Sequence, residues 1–98
     1  MVAYVVVDAE ILDPAKYEEY RKIAPQAIAK YGGRYLARGG QTAILEGDWR
    51  PNRIVVLEFP SIEAARNFYT SVEYTAARRA RAGAAKMNMI VVDGAPPE

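Results

Sequence analysis

The stretch from Tyr31 to Phe59 constrains this chain most. It contains two glycine pairs, an extended run, an acidic turn region with the only tryptophan, and a β-branched segment. Gly32 ends what precedes it, because left-handed backbone carries no steric penalty for glycine. Gly33 to Ala37 and Thr42 to Glu46 read as one long strand bulged at Gly39-Gly40, or as two pieces of one. Gly47 to Asn52 is rich in turn-forming residues. Arg53 to Phe59 alternates, with Val55, Leu57 and Phe59 on one parity and Ile54, Val56 and Glu58 on the other. Before this hairpin the chain reads strand then helix, and after it helix then strand.

The flanking elements carry their own signals. From Val2 to Ile11 one parity (Ala3, Val5, Val7, Ala9) is wholly apolar, and the other (Tyr4, Val6, Asp8, Glu10) is mixed. Asp13-Pro14 is a helix start, with Tyr17, Tyr20, Ala24, Ala27 and Tyr31 as its apolar stripe. Ser61 caps a second helix with buried positions Ala65, Phe68, Tyr69 and Val72, and Ser71 with Glu73 predicts a break and restart. Arg78, Arg79 and Arg81 lie near its end as a solvated cluster, Gly83 stops it, and Lys86 to Asp93 is the last strand.

This order, strand, helix, strand, strand, helix, strand, predicts an α+β ferredoxin-like βαββαβ sandwich. Its four-stranded antiparallel sheet has helices on one face, and the first and third strands are expected as central, parallel neighbours. Residues 1–94 form one domain, and 95–98 a loose tail. The uncovered face would carry Tyr4, Val6, Ile54, Val56, Ile90 and Val92, a patch too apolar to leave wet. A second copy laid sheet on sheet covers it most economically, so a homodimer is expected.

Composition narrows the chemistry. Neither cysteine nor histidine occurs in the 98 residues, which removes thiol nucleophiles, the commonest metal ligands and the commonest general base. No metal site and no cofactor are expected. A net charge of +1, from 13 basic and 12 acidic residues, argues against nucleic acid or anionic membrane as a partner. No apolar run is long enough to span a bilayer and no basic leader precedes one, so a cytoplasmic location is the expectation.

The run Tyr31-Gly32-Gly33-Arg34-Tyr35-Leu36-Ala37-Arg38-Gly39-Gly40, then Leu45-Glu46-Gly47-Asp48-Trp49 and Glu58-Phe59-Pro60-Ser61, resembles a bacterial family, domain of unknown function 1330. Phe68-Tyr69-Thr70-Ser71 with Glu73-Tyr74 extends the resemblance over nearly the whole chain. It implies a dimeric α/β barrel, within a superfamily that includes small cofactor-free monooxygenases, isomerases and haem-degrading enzymes. It implies a fold and no particular reaction.

The candidate site follows from parity. Asp8 and Glu58 share the mixed face and, on parallel strands, would lie side by side, where paired carboxylates would raise one pKa and provide a general acid or base. Arg38, or failing it Arg34, would complete the catalytic set or grip an anionic ligand. Tyr4, Glu46 and Trp49 are further ligand-binding candidates, Trp49 as a lid or stacking platform. The plainer reading makes Asp8, Glu58 and arginine a salt-bridge network closing the sheet end, and Trp49 a plug in the core or the partner subunit. Two functions stand: a cofactor-independent enzyme or small-molecule binder with a carboxylate/arginine pocket at the open sheet face, or a non-catalytic dimeric interaction module with a packed lumen.

Overall fold

In the computed structural model, which describes residues 1–96, the first strand, β1 (Ala3–Ile11), buries Ala3, Val5, Val7 and Ala9 against the helices. The alternation that made one parity apolar therefore decides which face the helices cover. Asp13 caps α1 (Pro14–Lys30), its side chain accepting from the Lys16 amide at 3.2 Å. Tyr17, Ala24, Ala27 and Ile28 are its buried residues. Gly32 ends it with φ of +81°.

The next strand, β2 (Arg34–Arg38), is short, and β3 (Arg53–Phe59) follows after fourteen residues without strand or helix. The extended run expected from Thr42 to Glu46 is not a strand. Only the Gly39 amide continues the ladder, donating to the Ile54 carbonyl at 2.8 Å. The irregularity falls between Tyr35 and Ala37, not at Gly39-Gly40, and it leaves Leu36 unpaired.

Ser61 and Ser71 each begin a helix, α2 (Ile62–Thr70) and α3 (Val72–Ala80). The Ser71 hydroxyl accepts from the Tyr74 amide at 3.0 Å and donates to the Phe68 carbonyl at 2.6 Å, so one side chain closes α2 and opens α3. The restart exposes two positions expected in the core: Tyr69 is 40% exposed and Val72 is 83% exposed. Last comes β4 (Ala85–Asp93). Of the expected tail, Ala95 and Pro96 are exposed, while Pro97 and Glu98 lie outside the described residues.

The sheet order is β2-β3-β1-β4, with every neighbouring pair antiparallel. The architecture is the expected ferredoxin-like α+β fold. The expected parallel pairing of the central strands is wrong. A helix crossover returns β2 in the direction of β1, the following hairpin reverses the chain, and β3 therefore runs against β1. The core lies between sheet and helices, with Phe59, Phe68 and Tyr74 its largest fully buried side chains.

Candidate functional site

Strand register sorts the open face into rows. The middle row is Ala37, Val56, Val6 and Ile90, apolar across all four strands. On one side of it lie Arg34, Glu58, Tyr4 and Val92, and on the other Ile54, Asp8 and Asn88. Ile90 is 64% exposed and Val92 48% exposed. Among the described residues no helix is long and apolar enough to cross a membrane.

Antiparallel pairing separates the two carboxylates that parity places on this face. Tyr4 stands across from Glu58, and Asp8 across from Ile54, so Asp8 and Glu58 are offset by four residues of strand, about 13 Å. No proton can be shared over that distance. Glu58 instead pairs with Arg34, Nε to Oε2 at 2.5 Å. Asp8 holds the loop before β3, accepting from Trp49 Nε1 at 3.2 Å and from the Asn52 amide at 2.9 Å. Trp49 is neither a core plug nor buried in this chain, being 64% exposed. Tyr4 is half-buried beside Glu58 and Val92, and Glu46 is exposed in the loop.

Arg38 leaves the group altogether. The irregularity at Leu36 shifts the register so that Arg38 pairs with Val55, a helix-facing position. There its guanidinium lies 4.2 Å from the Tyr35 ring centre. The same underside holds Tyr17, Tyr20, Arg21 and Arg53 around a small cavity of about 40 Å³. Burial raises the phenol pKa of both Tyr17 and Tyr35, with Arg53 and Arg38 respectively opposing the shift. Tyr20 is raised further, by burial and by the Tyr74 hydroxyl 2.7 Å away.

The larger cavity, about 470 Å³, is a cleft between α2 and the edge strand β4. Its apolar wall is made by Val5, Ala65, Phe68, Met87, Met89, Ile90 and Val91, and its polar groups are Arg66, Tyr69, Thr70 and Arg81. Phe68, Met87 and Met89 also line the small cavity, so the two are separated by shared side chains. Arg81 is half-buried, its guanidinium carbon 5.3 Å from the Tyr20 ring centre, and Arg78 stacks on Tyr69 at 4.5 Å. These two arginines are therefore not a solvated helix end. Only Arg79 of the three is exposed.

Sequence reasoning missed this cleft. The alternation of Met87, Met89 and Val91 marks the helix-facing side of β4. The cleft is lined from α2, Arg81 and β4 together, a juxtaposition of distant segments that no periodicity encodes.

The family model for the Domain of unknown function (DUF1330) matches residues 2–95, and the chain belongs to that family. No curated protein matches by sequence. Among solved structures the chain is similar to a protein of unknown function from Rhodopseudomonas palustris, at 18% identity and a TM-score of 0.75, over 98% of this chain and 84% of the other. It is also similar to SnoaB, a cofactor-independent oxygenase from Streptomyces nogalater, at 12% identity and a TM-score of 0.65, over 98% and 95% of the two chains. The structure of Rv0793 from Mycobacterium tuberculosis aligns at 15% identity and a TM-score of 0.60, over 99% and 98%. At these identities the likeness is one of fold.

Proposed function

We propose that this chain is a small-molecule-binding protein that takes its ligand into the cleft between α2 and β4 and works as a homodimer joined through the open sheet face. The cleft carries the reading. A volume of about 470 Å³, an apolar wall and a few polar groups at one side match what ligand sites of folded proteins are made of. The pocket first expected, built on Asp8, Glu58 and Arg38, has less support. Asp8 and Glu58 already have partners in their own chain, and neither lines either cavity. The arginines that line the cleft are Arg66 and Arg81, not the expected Arg38 or Arg34.

A cofactor-independent oxygenase from Streptomyces nogalater has a similar fold, so catalysis is an extension of the binding reading. In this chain the groups at hand would be the hydroxyls of Tyr69 and Thr70 and the two guanidinium groups. The alternative, a non-catalytic dimeric module, draws its support from the paired charges of the open face.

A thermal-shift screen against apolar metabolites tests the reading, because a ligand bound only by the native state raises the melting temperature by mass action. Thr70, exposed at the cleft, is the place to block it. A ligand that stabilises the wild type should not stabilise Thr70→Trp. An equal shift in both proteins, or no shift across the screen, would remove the proposal.

A further inference from the structure

The charged groups of the cleft are of one sign. Arg66 and Arg81 line it, Arg78 stacks on Tyr69 at its side, and no carboxylate is among the lining residues. The ion pairs among the described residues use Arg21, Lys22, Lys30 and Arg34, and none uses these three arginines. Among the described residues the buried Nε atoms of Arg78 and Arg81 have no hydrogen-bond partner, and Arg78 donates only from Nη2, to the Thr75 hydroxyl at 3.3 Å. A half-buried guanidinium facing an aromatic ring gains some cation–π attraction, but that does not replace a counter-charge in a poorly solvated setting.

Resting on the ligand-binding reading above, we infer that the cleft takes an apolar carboxylic acid, its hydrocarbon body between Phe68, Met87 and Met89 and its carboxylate on Arg81. The acid supplies what the site lacks. A guanidinium presents parallel N–H donors that fit the two oxygens of a carboxylate, and a single such group suffices for one negative charge. Arg66, exposed at the rim, adds attraction for an approaching anion. The apolar wall then selects for the body: a small hydrophilic acid would leave Val5, Ala65, Val91 and the methionines uncovered and gain little from burial.

The test uses matched pairs that differ only in charge: octanoate against octanamide, and 2-naphthoate against 2-naphthamide, titrated into the full chain by calorimetry. For at least one pair the acid should bind on the order of tenfold more tightly than its amide, the scale of one charge-assisted hydrogen-bonding group. In Arg81→Gln that preference should vanish through loss of acid affinity, with amide affinity unchanged. Arg81→Lys keeps the charge without the fork and should retain only part of the preference. Acid and amide binding equally well to the wild type would overturn the inference while leaving the cleft a binding site. The same holds if the preference persists in Arg81→Gln. Failure of all four probes to bind would overturn the inference together with the reading beneath it. The wild-type comparison stands even if a variant folds poorly.

Discussion

Tyr20 and Tyr74 meet oxygen to oxygen at 2.7 Å, joining α1 to α3 above the core. Tyr74 is fully buried and its ring packs against Phe68 at 4.3 Å, so the hydroxyl has little access to water. Removing one oxygen strands the other, which costs about 1–3 kcal/mol for a buried polar group. Tyr20→Phe should therefore lower stability in chemical denaturation by about that amount. The double variant with Tyr74→Phe should lose clearly less than the sum of the singles, since no orphan remains. Strict additivity would mean that the pair does not interact.

Gly33 is required for space where its neighbour Gly32 is required for conformation. A Cβ at Gly33 would come within 2.6 Å of two Phe59 ring atoms and 2.8 Å of Ile28 Cγ2. Phe59 has no exposed surface and cannot yield. Gly33→Ala should cost about 1–3 kcal/mol, as overpacking does, measured as a lower denaturant midpoint at unchanged slope. Gly40, where an added methyl would meet nothing within 4 Å, should accept the same change with little effect.

Much of the fold was legible because it rests on short-range rules. Asp13, Ser61 and Ser71 each do what a capping residue does, and the alternation in β1 and β3 states which side chains face the helices. The candidate site was less legible. Parity correctly put Asp8 and Glu58 on one face, but their separation depends on strand direction, which follows from tracing the crossover and hairpin, not from either residue. Arg38 was displaced by a single irregular residue, Leu36, and the period of two makes any such slip exchange faces completely. Arg78 and Arg81, at the end of α3, looked like surface because their aromatic partners, Tyr69 and Tyr20, are on another helix or distant in sequence.

Glu73 couples α3 to α1, accepting from Lys30 Nζ at 2.5 Å and from the Tyr31 hydroxyl at 3.0 Å. The bond from Lys30, followed by those from backbone and Tyr31, lowers its pKa to about 2 from the ordinary 4.5. A carboxylate depressed in the folded state adds stability that is complete above its unfolded pKa and lost as pH falls toward the folded one. Urea midpoints should thus decline between about pH 4.5 and pH 2 partly on its account. In Glu73→Gln that part of the decline should be absent. An identical acid profile in both proteins would show that the contact is not maintained in solution.

The apolar row Ala37, Val56, Val6 and Ile90 is the reason to expect a homodimer. Light scattering at micromolar concentration should report twice the chain mass for the wild type. Ile90→Glu puts a charge into the row, and across a two-fold axis it enters twice, so a well-folded monomer is the expected product. A monomeric wild type would remove the dimer.

Asp8 is best tested as a clamp on the loop. Its two oxygens hold Trp49 and the Asn52 amide, and few other contacts fix residues 39–52, which form no strand or helix and are almost all exposed. Trp49 is the only tryptophan, so its fluorescence reports the loop without labelling. Asp8→Ala should release the indole, seen as faster quenching by acrylamide and lower emission anisotropy. Because the bonds are exposed, the change in global stability should be small, under about 1 kcal/mol. Asp8→Asn keeps one acceptor oxygen and should fall between the two. Cleft binding should survive in both variants, since Asp8 does not line the cleft. Loss of binding in Asp8→Ala, with folding and dimer intact, would return Asp8 to the candidate site and count against the clamp.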